Sequence, residues 1–160
     1  MPSMPIRPLR ALLALALLTA TSAQAETKTS SFQVGMDVTA SCSLSASNLS
    51  FSSMPTGTTA GSDAQATVTV TCSASTPYTI SLDNGQYFSG GRRMNNSGAF
   101  INYDLYKDSS RTASWNSSSG INGTGNGTSQ SHTIFGRVPA GQAVPNTGSY
   151  ADTIIATISY

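Results

Sequence analysis

The chain is 160 residues long, 38% hydrophobic and only 9% charged, with 14 glycines, two cysteines and one histidine. That length suits one domain around one core. Sparse charge excludes a nucleic-acid surface, which needs clustered Lys and Arg, and one histidine with no Cys-x-x-Cys spacing excludes a metal centre.

Residues 1–25 carry Arg7 and Arg10, an apolar run over residues 11–20, and Ala23-Gln24-Ala25 as a small-x-small cleavage site. This is the pattern of a secretory signal peptide cut between Ala25 and Glu26. The run is too short to cross a bilayer core of about 30 Å, and no other stretch is long and apolar enough, so no integral membrane segment is expected. The exported remainder holds Lys28, Arg92, Arg93, Lys107, Arg111 and Arg137 against seven acidic residues. Arg92-Arg93 is its only basic pair and reads as a solvated turn.

Residues 32–44, FQVGMDVTASCSL, alternate for thirteen positions, with Phe32, Val34, Met36, Val38, Ala40, Cys42 and Leu44 on one face. Period two is strand periodicity. The run exceeds the usual strand length of about 5–6 residues, so it reads as two strands in series. The second, from about Val38, belongs to the chain's own core. The first is free to pack elsewhere.

Further along, residues 48–51 form a candidate short strand before the turn signal Met54-Pro55-Thr56-Gly57. Val68, Val70 and Cys72 alternate with threonines, themselves strand formers. Tyr78, Ile80 and Leu82 alternate up to Asp83-Asn84-Gly85, a turn signature. Ile101, Tyr103 and Leu105 define another strand. Residues 109–131 are mostly Ser, Gly, Asn and Thr, with Trp115 and Ile121 as exceptions, and read as a long polar loop or loose hairpin. His132, Ile134, Gly136 and Val138 alternate next, then Ile154, Ala156, Ile158 and Tyr160.

Cys42 and Cys72 pair as the only cysteines of an exported chain. Closing that loop restricts the unfolded chain by about 3.7 kcal/mol on the entropic scale. If Cys42 points inward, the bond ties two strands across the core. About seven strands, regular turns and one disulfide predict a two-sheet antiparallel sandwich of immunoglobulin-like type. Trp115 lies outside the 42–72 interval, so the likeness to antibody domains is architectural.

These stretches carry a family resemblance. FQVGMDVTASCSL, VTVTCSASTPYTISLDNG, GRRM at residues 91–94, INYDLYKD at 101–108, IFGRVPAGQ at 134–142 and GSYADTIIATISY at the end together resemble the spore coat protein U domain, found in archaic chaperone-usher pilus subunits. Ser52 and Asn116 stand where that family commonly has glycine.

The resemblance implies an incomplete immunoglobulin-like antiparallel β-sandwich that lacks its last strand, spanning residues 38–160. Residues 26–37 would be an N-terminal donor-strand extension, with Phe32, Val34, Met36 and Val38 entering a neighbour's groove, a form of strand addition. It further implies a secreted structural pilus subunit supporting surface adhesion and biofilm formation. Its partners would be identical or homologous pilin subunits joined head to tail, a periplasmic chaperone and an outer-membrane usher. The protein would pass through the periplasm to an extracellular, cell-surface pilus.

Two other readings fit the same residues. One is a self-complemented monomeric secreted or spore-coat-like domain. The other is an adhesin module contacting sugars or surfaces through Tyr87, Phe88, Trp115 and a Gly-rich loop.

An enzyme lacks its chemistry here. His132 sits on a strand without a Gly-x-Ser-x-Gly elbow, and the carboxylates, including Asp104 and Asp108, are not a positioned pair. Residues 123–127, GTGNG, lack the Lys and strand-to-helix setting of a phosphate loop. No cofactor is expected.

Overall fold

The computed structural model describes residues 24–160. The signal-peptide expectation falls mostly on residues 1–23, outside the described residues; Ala25 and Glu26, at the expected cut, are exposed. Chain contacts divide the protein into two units, Met1–Met36 and Asp37–Tyr160. Residues 24–36 of the first carry no strand and are exposed throughout.

The second unit is built from antiparallel strands. The larger sheet holds β1 (Cys42–Ala46), β2 (Ser62–Cys72), β7 (Ser129–Val138), β5 (Ala99–Tyr106) and β4 (Arg92–Asn96), in that spatial order. The smaller sheet has the order β6 (Ile121–Thr124), β3 (Pro77–Leu82) and β8 (Ala156–Ser159). Period-two alternation aims one face of each central strand inward. Ala66, Val68, Val70 and Cys72 of β2 are buried, as are Tyr78, Ile80 and Leu82 of β3, Ile101, Tyr103 and Leu105 of β5, and Ile134 and Val138 of β7. The threonines of β2 face away from this core, where β-branched side chains suit a pleated surface.

The β4–β5 hairpin closes through Ser97 and Gly98, both at positive φ (50° and 90°). Two such residues make the turn whose twist matches that of the flanking strands. The Gly98 amide donates to Asn95 Oδ1 at 2.9 Å.

Cys42 and Cys72 face each other in register on β1 and β2 with a Cα–Cα distance of 4.1 Å. The flanking Ser73 N–H donates to Ser41 O, so the cysteines occupy a non-hydrogen-bonded position, where strands bring Cα atoms closest. The disulfide therefore staples neighbouring strands of one sheet; it does not cross between sheets.

Four further expectations are corrected. The strand expected from Val38 begins at Cys42, and residues 24–41 carry none. Residues 48–51 alternate as a strand would but pair with no other strand. The polar stretch 109–131 contributes β6, the start of β7 and a fully buried Trp115. Arg92 is not in a solvated turn: it opens β4 and is buried.

Candidate functional site

One flank of the sandwich is uncovered. Past β1, residues 47–56 run along the rim of the larger sheet. Opposite them, residues 144–155 lead into β8. Two adjoining clefts of about 610 and 460 Å³ lie between these segments and share Leu49, Ser50, Met94 and Tyr150. Ile101, Val138, Leu82, Tyr103, Leu105 and Ile134 of the core form their floor. Leu44, Leu49, Phe51, Met54, Ile154, Ala156 and Ile158 pack against that core while remaining partly exposed.

Local packing explains the shape. Gly136 leaves room on β7 for Leu49 and Phe51; an added Cβ would stand 2.8 Å from Leu49 Cδ1 and 3.1 Å from Phe51 Cζ. Phe51 meets Tyr103 edge to face at 6.2 Å between centroids. The segment is thus held by its apolar side chains. Its backbone is not held: residues 48–54 make no backbone hydrogen bond to any described residue. Such a row of free N–H and C=O groups is a template for another strand.

On the opposite rim Asp152, Ile154, Ala156 and Ile158 alternate inward. Ala151 forms an isolated bridge with Asn95 of β4, which ties this rim on its far side only. The end near Val144 is closed by Gly57 N–H to Val144 O at 3.0 Å and Val144 N–H to Thr58 O at 3.2 Å. At the other end β1 and β8 come within 8 Å between Cα atoms. A strand paired on both sides needs about 9.6 Å, twice the inter-strand spacing. Both ends of the groove are thus drawn together, and the two clefts lie between them.

A polar cluster underlies the groove. The Arg92 guanidinium donates to Asp83 O and, at 2.9 Å, to Trp115 O. Burial pulls its pKa below the usual arginine value, against the Tyr103 hydroxyl and the Asp104, Asp83 and Asp152 carboxylates that favour its charge. Trp115 donates its indole N–H to Ile80 O at 3.0 Å. Tyr103 donates its hydroxyl to Asp152 Oδ2 at 2.7 Å, and burial, reinforced by that carboxylate, pushes the phenol pKa far up. Sequence reading missed Arg92, Tyr103 and Asp152 as a group, since no spacing announces that residue 92 bonds residues 83 and 115 or that residue 103 bonds residue 152.

The other singled-out residues lie apart. Phe32, Val34, Met36 and Val38 are 82–87% exposed, and a Cβ added at Gly35 would meet nothing within 4 Å. His132 is half-buried, with Nε2 3.0 Å from the Tyr78 hydroxyl, and burial lowers its pKa. Asp108 caps its own turn by accepting from the Thr112 and Ala113 amides. Trp115, fully buried, cannot stack on a sugar, which removes it from the adhesin reading. Among the described residues no helix is long and apolar enough to cross a membrane, and no three His, Cys, Asp or Glu side chains are grouped to hold a metal.

The Spore Coat Protein U domain profile matches residues 28–157. The chain belongs to the spore coat protein U domain family. This spore coat protein U domain is 34% identical over 100 residues to Protein U of Myxococcus xanthus, a match covering 56% of this chain and 55% of that protein. Its fold is similar to a chain in the crystal structure of the CsuC–CsuE chaperone–tip adhesion subunit pre-assembly complex from archaic chaperone-usher Csu pili of Acinetobacter baumannii. That likeness has a TM-score of 0.58 and 24% identity, covering 77% of this chain and 40% of the other. The spore coat protein U domain thus spans about half the length of the relatives it matches, or less.

Proposed function

We propose that the protein is an exported structural subunit of a chaperone-usher pilus, polymerised by strand donation between copies. The observation that carries this is the groove: a cleft floored by core side chains and bordered by seven consecutive residues without backbone partners. The matching feature is residues 26–37, which end in alternating apolar side chains exposed to solvent. Family membership and the fold shared with a chaperone-usher complex support the reading.

In this mechanism Phe32, Val34, Met36 and Val38 of one copy enter the groove of the next, and their backbone completes the sheet along residues 48–54. Burying a large apolar side chain is worth about 1.5–3 kcal/mol, so four contribute about 6–12 kcal/mol before ordering costs. The contact is head to tail and does not close on itself, so it propagates as a filament. An uncovered groove is an aggregation hazard before assembly. A periplasmic chaperone that shields it and an outer-membrane usher that hands it on are therefore proposed partners, with residues 1–25 directing export and the pilus as its destination. Adhesion and biofilm support belong to the same proposal. Pilus-subunit function calls for no enzymatic activity.

The test compares the exported chain with a variant lacking residues 26–37 on unheated denaturing gels. A ladder that collapses on boiling and is absent from the deletion is the expected result. A stable monomer that merely unfolds on deletion would overturn intermolecular donation in favour of self-complementation.

A further inference from the structure

Away from the groove, the outer face of the β4–β5 hairpin gathers aromatic rings around one cation. Arg93 on β4 and Phe100 on β5 are diagonal neighbours, since Arg93 opposes Asn102 and Asn95 opposes Phe100, and such pairs are within reach of long side chains. The Arg93 guanidinium carbon stands 4.1 Å from the Phe100 ring centre, and Tyr87 is tilted against Phe100 at 6.3 Å. Phe88, the next residue, is 49% exposed and Phe100 36%.

The loop bearing Tyr87 is held in place. The Tyr87 carbonyl accepts from Arg93 Nε at 3.0 Å, and its amide donates to Asp152 Oδ1. That leaves both terminal nitrogens of Arg93 without a hydrogen-bond partner among the described residues. The salt bridges there join Arg111 and Arg137 to Asp63, and Arg93 makes none. The nearest carboxylate on the same face of β5, Asp104, is four residues from Phe100, about 13 Å along a strand, and is in register with Arg137.

We propose that Tyr87, Phe88, Arg93 and Phe100 form a binding site for a carboxylate-bearing polysaccharide, such as a uronic-acid polymer. Planar aromatic rings take the apolar C–H face of a sugar ring. With Nε engaged by the Tyr87 carbonyl, the two terminal nitrogens of Arg93 offer the fork geometry that matches a carboxylate. A neutral glycan would leave this cation unanswered, and a bare apolar surface would have to desolvate it. The site stands on the hairpin and its adjoining loop, and none of its four residues lines the groove.

The experiment titrates the full exported chain with oligogalacturonate by calorimetry, beside the same oligosaccharide as its neutral methyl ester. Arg93→Gln and Phe100→Leu are compared with Arg137→Gln, a control that removes one exposed cation elsewhere on the sheet. Circular dichroism confirms that each variant is folded. Expected is binding of the acid form, weakened about tenfold or more by Arg93→Gln, since a charge-assisted bond is worth that factor, and weakened also by Phe100→Leu, which removes the ring face against the guanidinium. Arg137→Gln should change it little, and the ester should not bind measurably. Absence of binding by the acid form would overturn the proposal. So would equal binding of the ester, which marks a plain apolar patch, or equal loss in Arg137→Gln, which marks general charge attraction.

Discussion

Arg92 offers the sharpest test of how this core is organised, because a buried cation bonded to backbone carbonyls should be costly to replace. In Arg92→Met the volume is roughly kept, but Asp83 O and Trp115 O lose their guanidinium partner. Each buried acceptor left unsatisfied costs about 1–3 kcal/mol. Relief from burying the guanidinium, whose lowered pKa shows that its charge is disfavoured there, offsets part of this. A net loss of about 2–4 kcal/mol is expected. Arg92→Lys keeps the charge but lacks the fork that spans both carbonyls, so it should lose about half as much. Urea unfolding reads the difference: with a slope of about 1–3 kcal/mol per molar, 2 kcal/mol moves the midpoint by about 1 M. Acrylamide quenching of Trp115 should rise in Arg92→Met, since the carbonyl holding that residue is released. Wild-type stability in Arg92→Met, with unchanged quenching, would refute the assignment of Arg92 as the anchor of this loop.

Replacing Cys42 and Cys72 together by Ala should lower stability by about 3.7 kcal/mol for a separation of 30 residues, measured by denaturant unfolding against the oxidised parent. His132 should give the fold a mild acid sensitivity. Burial lowers its folded pKa below the unfolded value of about 6.5, so the unfolded chain binds the extra proton first. Stability is then full above that value and falls as pH drops from about 6.5 toward the folded pKa; His132→Gln should flatten this window in pH-dependent thermal melts. Tyr103 acts at the other extreme. Its raised pKa means the unfolded phenol ionises first, so stability should fall above about pH 10, and Tyr103→Phe should remove that alkaline loss.

The strands that could be seen in the sequence are those where one face is buried and the other is Ser or Thr, as in β2, or where apolar residues recur at every second place, as in β3, β5 and β7. β6 escaped because its packing is made by an absence: an added Cβ at Gly123 would collide with the Tyr78 ring, so a strand core is built from a residue that reads as loop. Arg92 escaped because an Arg-Arg pair looks solvated, while alternation turns one arginine inward and its neighbour outward. Trp115 is anchored by Ile80 O, thirty-five residues away, a contact no local pattern encodes. Residues 48–51 showed strand periodicity correctly, yet periodicity speaks of faces and not of hydrogen-bond partners. In the groove the proposal of strand donation rests on this distinction: the apolar half of a strand pair is present while its backbone partner is left open.

Strand donation between copies is the central claim, and disulfide trapping tests it most directly. Ile154→Cys on the groove rim is combined, in one chain, with Cys in turn at positions 32, 34 and 36, and the exported protein is oxidised and run on non-reducing gels. The account predicts covalent multimers that reduce to monomer, strongest at the one extension position opposite Ile154. A cross-linked monomer of increased mobility would contradict it, placing the extension in its own groove, and absence of any cross-link would remove the extension from the groove altogether.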